Sequence, residues 1–340
     1  MPEPVSAATA IEYLVARGRL ARPTDATAKA LGGGVSNHVT EVSWPDARVI
    51  VKRPRANLAV DADWPADPAR IHTEAAAARA YRRLLDAAGV VDVTVPDVID
   101  EDHDKHVAVF SSAPRRYTTW KELLLAGTVD QSIAARLGTV LGIIHDRAAG
   151  DEALRATFRS NRSFEQLRLD PYHRATAAAH PGLAGDIEDE RRRVASVNRT
   201  LVHGDFSPKN VLVDLDGVGP LWVIDFEVAH WGDPAFDLAF LANHLCIKAL
   251  HRPAIHAEYL TAAKEAFAAY DAEVSWDVEA TAVRALGVLM LARIDGKSPV
   301  EYVTDANTAD TIRGVASHIM REEIERFDEV VQIVRAAAEP

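Results

Sequence analysis

The stretch His203-Gly204-Asp205-Phe206-Ser207-Pro208-Lys209-Asn210, followed closely by Ile224-Asp225-Phe226-Glu227, constrains the fold of this chain more than any other segment. Between the two lie short apolar runs, Val211-Leu212-Val213-Asp214 and Leu221-Trp222-Val223-Ile224, flanking an Asp216-Gly217 turn signal. This pattern predicts a β-hairpin. Closing it brings Asn210 beside Asp225, with Asp205 just upstream. A lone His-Gly-Asp is a polar turn, and a lone strand-end aspartate is ordinary. In this order, two carboxylates and an amide are the equipment of phosphoryl transfer: one carboxylate faces an attacking hydroxyl and the other two groups hold magnesium. That reaction asks little covalent chemistry of a protein, because alignment and charge neutralisation carry it.

A site of this kind needs a strand-rich region that covers ATP, and the upstream sequence offers three features in the right order. Leu31 to Asn37 (LGGGVSN) precedes a predicted strand, Val39 to Trp44. Gly33, Gly34, Ser36 and Asn37 are the candidates to fold over phosphates through backbone N–H groups, the plainer reading being a solvent-exposed turn. Arg48-Val49-Ile50-Val51-Lys52 is an apolar strand ending in a lysine. Lys52 is the candidate contact to the α- and β-phosphates, although lysines also blunt exposed sheet edges. Glu74 follows 22 residues later inside Ala69 to Leu85, a helical stretch rich in alanine and arginine. An ion pair between Glu74 and Lys52 would orient the lysine.

LVHGDFSPKNVLVD and WVIDFEVAHWGDPAFDLAF resemble the aminoglycoside phosphotransferase and choline kinase superfamily, small-molecule kinases with a protein-kinase-like fold. The resemblance implies an α+β, two-lobed architecture with a sheet-containing nucleotide-binding N-lobe over residues 1–113. A mainly helical C-lobe over 114–340 would carry the catalytic loop and acceptor site. It implies that Asp205 is the catalytic base, that Asn210 and Asp225 are magnesium ligands, and that His203 and Asp237 hold the loop. It places an adenine hinge at Phe110 through Ala113, with Phe110 and Ser112 as nucleotide neighbours. Glu227 stands where protein kinases carry a glycine; it has two readings, a contact to a metal or magnesium-bound water and a structural carboxylate. TWKELLLAG and FRSNRSFEQLRLDPYHR are locally similar to the methylthioribose kinase branch.

From Thr119 onward the apolar spacing is helical. Trp120, Leu123, Leu124, Ile133, Leu137, Leu141 and Ile144 form one face. Histidine 145 reads as a core residue at its end. Further helices are expected over 236–250, 254–270, 278–294 and 308–338. No apolar run approaches the roughly 20 residues that span a bilayer. The amino terminus does not read as a secretory signal, and a single cysteine, Cys246, fits a reducing cytoplasm. The net charge of −12 argues against nucleic acid or anionic membrane as partners. The expected partner is a small-molecule hydroxyl acceptor, with ATP and Mg²⁺; oligomeric state is not legible. Arg293, Asp295 and Lys297, near a helix break, are the candidate acceptor contacts, with a solvated helix end as the alternative. The competing functions are a catalytically silent nucleotide-binding module and a protein kinase. The full residue set disfavours the first. The short Asp225–Asp237 interval, with no room for an activation segment, disfavours the second.

Overall fold

Alternation along its strands decides the N-terminal region. In the computed structural model of the chain, residues 6–32, 35–59, 64–322 and 324–339 are described. Strands β1 (Thr27–Ala30), β2 (Asn37–Trp44) and β3 (Ala47–Pro54) are followed by β4 (Val93–Thr94), β5 (Val98–Asp102) and β6 (Val107–Ser111). Five of these form an antiparallel sheet in the order β1-β2-β3-β6-β5. Side chains of a strand point alternately to its two faces. Val49 and Val51 therefore join Val42, Val107 and Val109 against Tyr13 and Leu14 of the helix Ala7–Ala16 in a small core. Ile50 and Lys52 face the other way, toward a large cavity. The helix Arg70–Ala88 crosses behind that cavity. It buries Glu74, Ala78 and Tyr81, and ends where Gly89 takes a left-handed conformation.

A second sheet, in which β7 (Tyr117–Thr119), β9 (Val211–Asp214) and β10 (Leu221–Val223) join β4 in the order β4-β10-β9-β7, links this region to the helical one, and a small pair flanks the loop that carries Asp205. That pair joins β8 (Thr200–Val202) to β11 (His230–Gly232), while the hairpin comprises β9 (Val211–Asp214) and β10 (Leu221–Val223). The remainder is mainly helical, including Trp120–Ala126, Gln131–Ala148, Pro234–His251, His256–Asp271 and Glu279–Asp295. Pro234–His251 is buried along nearly its whole length and is the axis of the main core. No described helix is long and apolar enough to cross a membrane.

Gly138 of Gln131–Ala148 lies directly against His256–Asp271, and a Cβ there would stand 2.2 Å from the Ala266 carbonyl oxygen. Gly138→Ala is expected to destabilise the protein by about 1–3 kcal/mol through overpacking. Gly185→Ala, with nothing within 4 Å of the added methyl, is expected to be neutral or stabilising. Urea unfolding of the two variants checks the contrast.

The C-terminal stretch differs from the sequence expectation. One helix over 308–338 is replaced by two, Ala306–Arg321 and Phe327–Ala338. The break lets two apolar faces, Ile312, Val315 and Ile319 on one and Phe327, Val330 and Val334 on the other, pack separately. It is held from outside the segment: Phe327 N–H donates to Glu279 Oε1 at 2.8 Å, and Arg326 pairs with Glu279 at 2.8 Å. A cap supplied by a distant helix leaves no trace in local spacing.

Candidate active site

The loop between β8 and β9 is fixed from behind by one carboxylate. Asp237 accepts from the backbone N–H of His203 at 2.7 Å and of Gly204 at 2.8 Å. Gly204 has φ +77°, and a Cβ on it would meet the Val228 carbonyl at 2.8 Å, so the turn requires glycine. The His203 ring locks the next step. Its Nδ1 accepts from Asp205 N–H (3.2 Å), which leaves Nε2 as the donor to the Ile224 carbonyl (3.2 Å). Burial pushes the pKa of this histidine down, consistent with a neutral ring. Histidine 145, wholly buried, contacts Asp237 and Tyr270 and so supports the loop at one remove.

Three donors converge on one oxygen of Asp205. Arg168 Nη2 and Lys209 Nζ each lie 2.9 Å from Oδ2, and Asn210 Nδ2 lies 2.8 Å from it. Burial alone would raise the pKa of this carboxyl, but Arg168 and Lys209 outweigh it and hold it below the usual value. Asp205 is thus an ionised carboxylate at neutral pH. The same Asn210 amide nitrogen also donates to the Asp205 carbonyl (2.9 Å), which leaves the amide oxygen as the atom it could offer to a cation. Asn210 is brought beside Asp225 by the hairpin, where Ile224 N–H donates to the Asn210 carbonyl (2.9 Å). Asp225 has φ +70°, a left-handed conformation that aspartate tolerates better than most residues.

Lys52 completes the floor. Its ammonium is 2.8 Å from Glu74 Oε1 and also contacts Asp225 Oδ1. Burial acts to lower the lysine pKa, yet Asp225, Glu74 and Glu227 together raise it, so the ammonium stays charged. Above lies a cavity of about 820 Å³, lined by Ser36, Asn37, Ile50, Lys52, Phe110 and Ser112 among others. That is the size of a typical small-molecule site. Asn210 and Asp225 face into it from below. Gly33 and Gly34, the other sequence candidates for this wall, lie outside the described residues. An amide and a carboxylate are all-oxygen donors that suit a hard cation such as magnesium, which typically takes one or two carboxylates plus phosphate oxygens and water.

Glu227 Oε2 accepts from Arg70 Nε and from Asn37 Nδ2, both at 2.9 Å. Arg70, 1% exposed, also donates to the carbonyls of Ser36 (2.6 Å), Arg55 (3.0 Å) and Asp67 (3.0 Å). One guanidinium thus ties the segment after Asp225 to the turn before β2.

A model of the phosphotransferase enzyme family matches residues 27–272, well over half of the chain and every side chain of the floor just described. The chain belongs to this phosphotransferase enzyme family. Solved structures with the same fold include the amicoumacin kinase hAmiN in complex with AMP-PNP, Ca²⁺ and Ami, at 16% identity, covering 94% of this chain and 96% of that one with a TM-score of 0.55. A choline/ethanolamine kinase family protein from Mesorhizobium loti gives 18% identity, 91% and 92% coverage and a TM-score of 0.51. An ethanolamine kinase from Plasmodium vivax gives 11%, 97%, 87% and 0.51. At these identities the likeness is one of fold. No match is found among curated proteins.

In this phosphotransferase the three sequence candidates for the acceptor separate. Arg293 lines a narrow cleft together with Lys209, next to Asp205. Asp295 does not line it; its carboxylate is held by Arg313 at 2.7 Å and 2.8 Å and by His180 at 2.7 Å. Lys297 is exposed and likewise absent from the cleft wall. Arg168 and Arg70 escaped the sequence analysis. Arg168 sits in Glu165–Arg174, a wide-turned π-helix that includes Pro171, and such turns recur at functional sites.

Proposed function

We propose that the protein is an ATP- and Mg²⁺-dependent kinase that phosphorylates a hydroxyl of a small molecule, within the range of aminoglycoside-like compounds, amino alcohols and sugars. The observation that carries this reading is the meeting of Asn210, Asp225 and Lys52 at the floor of one nucleotide-sized cavity, with Asp205 hydrogen-bonded to Asn210 just beside it. Lys52, held by Glu74, clamps the α- and β-phosphates, and Phe110 and Ser112 border the adenine. Ser36 and Asn37, at the start of β2, are proposed to cover the phosphates, together with Gly33 and Gly34 of the same glycine-rich sequence. Asn210 and Asp225 would hold magnesium, which when bound neutralises phosphate charge; Glu227 stands behind them, with Oε1 left for a metal-bound water. Asp205 accepts the acceptor's hydroxyl proton as the hydroxyl oxygen bonds to the γ-phosphorus and the bond to the ADP oxygen breaks. The region 1–113 acts as the nucleotide lobe and 114–340 as the acceptor lobe of a cytoplasmic enzyme.

ADP release tests this reading, measured with ATP against aminoglycosides, amino alcohols, sugars and methylthioribose, with and without EDTA. The expected result is acceptor-dependent release that EDTA abolishes and excess Mg²⁺ restores. Tight ATP binding with no acceptor-dependent release would support the silent nucleotide-binding module instead.

A further inference from the structure

Beside the loop that carries Asp205, a small cleft that shares no lining residue with the large cavity collects positive charge. Lys121, Lys209, His244, Lys248, Arg293 and Tyr302 line it. Glu301 is the one carboxylate in its wall, and that is paired with Lys121. Lys209 is paired with Asp205. Lys248 and Arg293 have no carboxylate partner among the described residues.

Lys248 is the more telling of the two. It is 1% exposed and projects from the buried helix Pro234–His251. Its contacts are long: the His244 carbonyl at 3.3 Å, the Tyr302 hydroxyl at 3.4 Å and the face of the Tyr302 ring at 4.9 Å. A buried ammonium without a counter-charge is costly. Burial, with Lys121 and Arg293 adding to it, pulls its pKa down to about 7. Arg293 uses Nη1 on the Tyr172 hydroxyl and Ser298 Oγ, both at 2.9 Å, while its Nε is buried without a partner. Two basic side chains without a carboxylate partner therefore face one cleft, and an anion entering it would draw Lys248 into its charged form; the third, Lys209, touches the proposed base.

We propose that the acceptor carries an oxyanion, a carboxylate or a phosphate, which docks on Lys248 and Arg293 while its hydroxyl lies against Asp205. The inference rests on the kinase reading and narrows its acceptor to a small hydroxy acid or hydroxyalkyl phosphate. The cleft holds about 20 Å³, room for one or two water-sized groups, so it takes only the oxygens at the anionic end of an acceptor while the rest of the molecule lies outside it. A cationic acceptor would meet like charges with no carboxylate left to greet it. The step is unchanged: the hydroxyl oxygen gains the γ-phosphoryl group, ADP leaves and the proton passes to Asp205.

Full-length protein is assayed for Mg²⁺-ATP-dependent ADP release with D-glycerate and gluconate, glycerol 3-phosphate, the neutral glycerol and glucose, and the cationic ethanolamine and kanamycin. An anionic acceptor is expected to win, the better of carboxylate and phosphate identifying the source of the anion. Lys248→Met and Arg293→Met are expected to raise its KM by about 10- to 100-fold, the worth of one hydrogen bond to a charged group. A neutral or cationic acceptor preferred over every anion overturns the proposal and leaves the kinase reading standing. Absence of Asp205-dependent release from all acceptors counts against the kinase reading instead. A binding arm then decides the anion site by itself. Protein saturated with Mg²⁺-ADP is melted with increasing sulfate or malonate. Wild type is expected to gain a saturable rise in Tm that Lys248→Met lacks, while the variant without anion melts no lower than wild type because a buried charge has been replaced by an apolar side chain. Equal shifts in both proteins, or none in either, overturn the proposal.

Discussion

Asp205→Asn is expected to lower kcat by about 10²- to 10⁴-fold, the usual contribution of a positioned general base, while nucleotide affinity stays near the wild-type value. The separation follows from geometry. Asp205 is 2% exposed and is not part of the wall of the large cavity, whereas Lys52, Asn210 and Asp225 are. Asparagine keeps the shape but cannot take a proton, and its neutral amide no longer compensates Arg168 and Lys209, both at 2.9 Å from the present carboxylate. Steady-state ADP release and a nucleotide titration on the same preparation check both halves. Turnover within a few-fold of wild type would remove Asp205 from the role of base. Because Arg168 and Lys209 hold the pKa of Asp205 below the ordinary carboxylate value of about 4, its protonation should not limit activity until the pH falls below that range.

The second large effect is on stability. Arg70→Ala is expected to destabilise the fold by about 3–5 kcal/mol, as is usual when one partner of a buried ion pair is removed. Glu227, 5% exposed, would keep Asn37 as a donor but lose its counter-charge. The carbonyls of Ser36, Arg55 and Asp67 would each lose a donor as well. Replacing both partners with apolar side chains, Arg70→Met with Glu227→Leu, should recover much of the loss, since the uncompensated charge is then gone. Urea unfolding of the single and double variants provides the comparison; a single variant within 1 kcal/mol of wild type would show that water reaches the carboxylate.

What could be read in the sequence was local. The β9–β10 hairpin follows from two apolar runs around Asp216-Gly217, and it occupies 211–214 and 221–223. The strand carrying Lys52, which runs on to Pro54 rather than ending at the lysine, and the helix carrying Glu74 follow from periodicity, and the two side chains meet across 22 residues. Arg168 could not be found this way. Its contact with Asp205 depends on a π-helical turn that no spacing rule anticipates. Arg70 reaches Glu227 across 157 positions, and the significance of Lys248 lies in what does not surround it. The split of the C-terminal helix belongs with these, since Glu279 caps it from another element. Local propensity writes the elements; the long-range charges that finish the site are written by packing.

The period-two alternation of β3 carries an evolutionary corollary. Val49 and Val51 fill a core while Ile50 and Lys52 serve the cavity, so structure and chemistry share one strand by odd and even position. Substitutions there can be judged one face at a time. A single inserted or deleted codon upstream of Lys52 within the strand would swap the faces, sending the ammonium toward the valine core and a valine toward the cavity. Lineages of this protein should therefore diverge in this strand by replacement and keep its length, reserving gaps for the turns at either end.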